Sequence, residues 1–354
     1  MSEKVICDGD VIIRELGALR RITLNRPKAL NAITLGMAET MTEFMRAWSD
    51  DPTVGTIMID GAGDRAFAAG GDIRALYDAA KTGADLPAQF WATEYRLNVL
   101  IARYPKPVVT IMDGLVMGGG VGLASHAAHR IVTERSSIAM PEVSIGFFPD
   151  VGVAYLLARA PGSAGTHLML TGERINAADA IYSGLADIHI ETFRLDGLPA
   201  VLAECRSVAE VRSALLRIAA QPAAGKLEAA RPWIDRCYSA DKVEDIVERL
   251  LGSMEASTSA ALDVIGRASP TSLKVALRNL REAAQFEQVE QSFQQDYRIA
   301  LACIAGHDFS EGIRAAIVDK DRNPVWYPAQ LEDVTDDIVD RHFKSVGALE
   351  LQFP

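Results

Sequence analysis

Two short apolar runs, Val54 to Ile59 and Val108 to Met112, each lead into a glycine-rich stretch: AFAAGGD at 66–72 and GLVMGGGVGL at 114–123. Apolar runs of five or six residues that end in glycine are the mark of buried strands, and helical spacing separates them here. From Thr34, a candidate N-cap, apolar side chains recur at Met37, Met41, Phe44, Met45 and Trp48. Phe90 to Tyr104 repeats the helical period until Pro105 and Pro107 stop it. The first 25 residues alternate as strands around a turn near Gly17. The first half therefore repeats a strand–glycine loop–helix unit, which calls for an α/β fold with a helix-covered sheet. After about residue 195 the pattern becomes helical, with Glu204–Ala219, Val243–Met254 and Ser269–Phe293 as expected helices. The expected organisation is a core at 1–195, a helical insertion at 196–265 and a helical C-terminal region at 266–354.

Composition narrows the function classes. Lys and Arg number 36 against 47 Asp and Glu, a net charge of −11, and a general nucleic-acid binder shows the opposite balance. No apolar run reaches the length of a membrane span. Residues 1–5 hold two charges and no apolar core of a secretory signal. The four cysteines, Cys7, Cys205, Cys237 and Cys303, form no C-x-x-C, and no two histidines stand at H-x-x-x-H spacing. No metal site is expected, and reduced thiols in a reducing compartment are. The expected location is the cytoplasm.

Neither a phosphate-binding loop nor a dinucleotide fingerprint is present: Gly225-Lys226 is followed by Leu227, and Gly118 and Gly120 are followed by Leu123 where a third glycine is needed. Ser125 has no nucleophile-elbow setting. The two glycine loops remain. They are either tight turns and packing positions, or backbone N–H donors converging from Gly71 and Gly119 on a carbonyl oxygen that gains charge. Downstream, MPEVSIGFFPDVG at 140–152 carries Glu142 and Asp150, each preceded by proline, in an otherwise apolar stretch. A carboxylate set among Met140, Ile145, Phe147 and Phe148 loses hydration, and its pKa tends upward toward acid–base work. Asp150 can equally be the cap of a helix running from Gly152 to Ala160.

With these segments in order, the sequence resembles the crotonase (enoyl-CoA hydratase/isomerase) superfamily, and within it the 3-hydroxyisobutyryl-CoA hydrolase branch. The resemblance is carried by RPKALNA at 26–32, AFAAGGD, MGGGVGL at 117–123, MPE at 140–142 and FPDVG at 148–152. The later SPTSLK at 269–274, GHDFSEG at 306–312 and VDKDRNP at 318–324 also match. It implies a spiral of ββα turns with a helical region closing an acyl-CoA site. By the same resemblance Gly71 and Gly119 are the oxyanion hole, Glu142 the main catalytic carboxylate and Asp150 its hydrolase-specific partner. Glu94 is a substrate contact or else a solvated helix residue. Arg26 and Lys28, with Ala68 and Asp72, hold CoA, unless the two cations are plain surface charges. Hydratases of the superfamily carry a second glutamate two residues after the triple glycine, and here that position is Gly122. The expectation is a thioester hydrolase that needs no cofactor, CoA being part of its substrate, with no nucleic-acid or membrane partner and with homo-oligomers common among its kin. The alternatives are an enoyl-CoA isomerase or hydratase, and a non-catalytic acyl-CoA-binding protein.

Overall fold

The computed structural model describes residues 4–353; Met1–Glu3, on which part of the N-terminal reading rests, and Pro354 lie outside the described residues. The chain forms two compact units, each assembled from three stretches. The first takes 1–72, 93–138 and 174–225, and the second 73–92, 139–173 and 226–354. The cuts expected at 195/196 and 265/266 each fall inside one of these stretches.

The first unit holds the sheets. Strands β1 (Lys4–Asp8), β2 (Val11–Leu16) and β3 (Leu19–Leu24) pair antiparallel, and β2 turns into β3 at Gly17, whose φ of 55° suits the tight turn. The sheet then continues in parallel through β4 (Thr56–Gly61), β6 (Val108–Met112), β8 (His129–Val132) and β10 (Ile188–His189). A second sheet of three very short strands, β5 (Ala66–Ala68), β7 (Leu115–Met117) and β9 (Ser137–Ala139), runs beside this order. Each turn of chain thus sends one strand into the large sheet and the next into the small one before a helical segment follows. This is the ββα spiral, and it corrects the simpler strand–loop–helix unit: β5 and β7 lie inside the glycine stretches. On one face of the large sheet Met58, Val109, Ile111 and Ile131 are fully or almost fully buried with Leu198, Leu202, Val211 and Leu215. At about 25 cal/mol per Å² of apolar surface removed from water, such clusters supply most of the cohesion.

The Thr34 hydroxyl caps the Leu35–Ser49 helix as expected, accepting the Met37 N–H at 3.2 Å. The second unit is helical. The expected Ser269–Phe293 helix is two helices, Pro270–Ala283 and Val289–Ala305. No Pro or Gly marks the break. A reciprocal capping box between Gln288 and Gln291 restarts the helix and satisfies its first N–H groups.

Candidate active site

In the first unit the RPKALNA segment builds the floor for the glycine loops. Leu30 and Asn31 both take left-handed φ angles, 52° and 55°, a conformation asparagine tolerates better than most residues. The fully buried Asn31 side chain makes three bonds: Oδ1 accepts the Arg26 N–H at 3.0 Å, while Nδ2 donates to the Ala62 and Ala66 carbonyls at 3.0 and 2.9 Å. The turn is thereby fastened to β5, which leads to Gly71. Ile33 bridges this loop by donating to Gly70 O at 2.8 Å and accepting from the Asp72 N–H at 2.9 Å. The flanking residues take both bridge bonds, and no acceptor for the Gly71 N–H is found among the described residues.

Gly119 opens the Gly119–Ser125 helix, where the first N–H groups have no intrahelical partner. A Cβ on Gly119 would collide with Glu94 Oε1 and stand 3.3 Å from the Gly71 nitrogen. A side chain there would have to displace Glu94, and the two backbone N–H groups and the Glu94 carboxylate gather at one place. Glu94 is 3% exposed, so the solvated-helix reading of it is set aside. The CoA candidates divide. Arg26 is engaged by Asp10 and Asp72, both at 3.1 Å, and donates to Ala32 O at 2.7 Å. Lys28 is exposed on the Pro27–Ala29 turn, and Ala68 is buried at the end of β5.

The second unit brings Glu142 and Asp150 together. Glu142 begins the Glu142–Ile145 turn, and the Val143 carbonyl beside it accepts the Ser269 N–H at 3.0 Å. Farther along, Phe147 stacks on Trp91 with centroids 5.3 Å apart and tilts against Phe148 at 4.8 Å. The apolar setting inferred from sequence is therefore real. Burial, and then the neighbouring Asp150, push the Glu142 carboxyl well above the usual carboxylate range. Its Oε2 has no hydrogen-bond partner among the described residues. Asp150 is buried as well. The helix that follows is Val153–Leu157, and its N-cap is Gly152, two residues beyond Asp150. The N-cap position thus falls on Gly152 and not on Asp150. The Gly152 N–H goes to Asp296 instead, a residue the sequence reading missed.

A family profile described as enoyl-CoA hydratase/isomerase matches residues 19–343. The chain belongs to that family. Among its relatives, the Xenopus laevis protein is 40% identical over 99% of this chain and 93% of its own, and the Homo sapiens protein 38% identical over 100% and 93%. Both are named 3-hydroxyisobutyryl-CoA hydrolase, mitochondrial. Among solved structures, one from Mycobacterium thermoresistibile described as a carnitinyl-CoA dehydratase has a TM-score of 0.92 at 44% identity, covering 98% of this chain and 99% of that one. One from Rhodobacter sphaeroides 2.4.1, described as an enoyl-CoA hydratase, has a TM-score of 0.90 at 39% identity over 98% and 100%. The expectation of a cytoplasmic protein is corrected by the relatives, which are named as mitochondrial. Hydropathy tests for membrane spans and apolar signals, and is blind to which aqueous compartment holds a family member. No described helix is long and apolar enough to cross a membrane.

Proposed function

We propose that the chain is a thioester hydrolase that converts 3-hydroxyisobutyryl-CoA, an intermediate of valine breakdown, or a close β-hydroxyacyl-CoA, to the free acid and CoA. The observation that carries this reading is the buried, electrostatically coupled pair Glu142 and Asp150, combined with glycine at 122. The proposal gives each unit a task. The Gly71 and Gly119 N–H groups stabilise the tetrahedral oxyanion, and removing one such donor costs about 100–1,000-fold in rate. Glu142 attacks the thioester carbon or activates a water; both routes need it ionised. Asp150 binds the substrate hydroxyl and assists the proton transfer to the leaving sulfur. Glu94 contacts the acyl group. Lys28 meets a CoA phosphate, whereas Arg26 and Asp72 brace the loop that carries Gly71. No cofactor enters this scheme.

The solved structures described as a dehydratase and a hydratase favour a second reading, addition or removal of water across a double bond. Gly122 weighs against it. Position 122 lies inside the Gly119–Ser125 helix with no side chain to supply the second carboxylate. Two assays decide: CoA release from a panel of acyl-CoA thioesters, and hydration of crotonyl-CoA. The proposal expects thiol release, fastest with the β-hydroxy substrate. A rate of crotonyl-CoA hydration above that of 3-hydroxyisobutyryl-CoA hydrolysis overturns it.

A further inference from the structure

We infer that the second unit holds a binding site for a small neutral molecule with an apolar body and one hydroxyl or N–H donor, apart from the proposed catalytic residues. The site is a cavity of about 380 Å³ between the helices Ala164–Thr171, Leu227–Tyr238 and Ser257–Ile265. Neither Glu142 nor Asp150 lines it, so the inference stands whether or not the hydrolase reading does. Its volume is that of a small-molecule site, a kind of pocket that is mostly apolar with a few placed polar groups. Leu227, Trp233, Ile234 and Ala261 form buried walls, and Val264, 38% exposed, marks where the cavity meets solvent.

The polar end is His167. It is 2% exposed, lines the cavity, and packs edge to face against Trp233 and Tyr238, with ring centroids 5.5 and 4.9 Å away. Its Nε2 meets Glu173 Oε2 at 2.7 Å. Glu173 is partly exposed, and its bond to His167 holds its carboxyl below the usual range. An ionised carboxylate only accepts, so the neutral imidazole keeps its proton on Nε2 and carries a lone pair on Nδ1. Nδ1 is buried and has no partner among the described residues. Native structures rarely leave a buried acceptor so. The nearby hydroxyls do not serve it. Thr171 Oγ1 donates to His167 O at 2.7 Å, and Tyr238 Oη forms no hydrogen bond among the described residues.

A donor on a ligand answers that lone pair. An anion would set another acceptor beside Glu173, and a cation would meet Lys226, which lines the same cavity. A neutral donor avoids both. The cavity also backs onto the segment that carries Glu142. Gly172 lines it with a left-handed φ of 58°, and a Cβ there would stand 2.7 Å from Pro141 Cα and 2.9 Å from Met140 O. An occupant therefore rests against a glycine that touches the residue before Glu142.

The test is calorimetric titration of the full chain at pH 8, where imidazole is neutral, with benzyl alcohol and with benzyl methyl ether, which lacks the donor. The wild type should bind the alcohol with a Kd below about 1 mM and about three- to tenfold tighter than the ether. His167→Phe keeps a ring and removes the acceptor, so the two probes should bind alike. Ala230→Leu puts a larger side chain into the cavity wall, so neither should bind. A wild type that does not bind the alcohol, or that shows no preference for it, overturns the inference. A folded His167→Phe protein that keeps the preference, or a folded Ala230→Leu protein that binds like the wild type, also overturns it. Should a variant fail to fold by circular dichroism, the wild-type preference decides, together with whichever variant folds.

Discussion

Replacing Glu142 by Gln separates what the carboxylate does from what it costs. The amide has nearly the same shape but can neither attack a thioester nor take a proton from water. Hydrolysis is expected to fall by roughly 100–10,000-fold while acyl-CoA still binds. The same substitution stabilises the fold. Glu142 is 8% exposed, Oε2 has no partner among the described residues, and Asp150 adds like charge. An acid whose folded-state pKa lies above its unfolded value contributes stability below the unfolded pKa and loses it as the pH rises through the folded one. Above the unfolded-state pKa the wild type therefore loses stability, either by burying an under-bonded carboxylate or by keeping it protonated, on the scale of about 1–3 kcal/mol for an orphaned acceptor of this kind. With an unfolding entropy of about 2.1 cal/mol/K per residue over 354 residues, each kcal/mol moves Tm by about 1.3 °C. Glu142→Gln should then melt about 1–4 °C above the wild type at pH 7.5, and the gain should shrink toward zero near pH 4, where Glu142 is protonated. Thermal melts at both pH values, paired with a thiol-release assay, read the two effects. No gain at pH 7.5, or an equal gain at pH 4, refutes the electrostatic account. Turnover above about a tenth of wild type removes Glu142 from the chemistry.

Asp150→Asn should lower turnover and narrow the preference for β-hydroxyacyl over plain acyl thioesters by about tenfold or more, because a site built to bind a hydroxyl rejects its absence strongly. Unchanged selectivity in a kcat/KM comparison assigns Asp150 away from the hydroxyl. Gly119→Ala drives a methyl into the Glu94 carboxylate and next to the Gly71 N–H. It should cost about 1–3 kcal/mol of stability from overpacking and lower kcat on the order of 100-fold as the donor pair is disturbed. Wild-type kcat in a folded Gly119→Ala protein rules the glycine pair out as the oxyanion site.

What was legible in the sequence was whatever is written in contiguous residues. The apolar runs became β4 and β6, with β6 at its expected bounds. The stretch around Glu142 and Asp150 is a local packing statement: Phe147 and Phe148 sit in the same few residues as the carboxylates whose hydration they remove. Strands β5 and β7 were hidden because three residues are too few to show a period, and because glycine nearby reads as loop. Arg26 was legible as a cation, but nothing local says that Asp10 and Asp72 already hold it.

Asp296 is the sharpest case of what chain order conceals. In QSFQQDYRIA it is one polar residue on a helix, with no motif around it. Its meaning comes from Gly152 and Asn279, which approach it only after two helices and a turn have packed together. The same logic makes each compact unit out of three separate stretches. The turn through Val151 and Gly152 has a local bond from the Val153 N–H to Asp150 O at 3.0 Å and a distant one from the Gly152 N–H to Asp296 at 2.7 Å. Burial and the nearby Asp150 push the Asp296 carboxyl well above the usual carboxylate range. A backbone hold of this kind is made by tertiary packing and is written in no stretch of neighbouring residues.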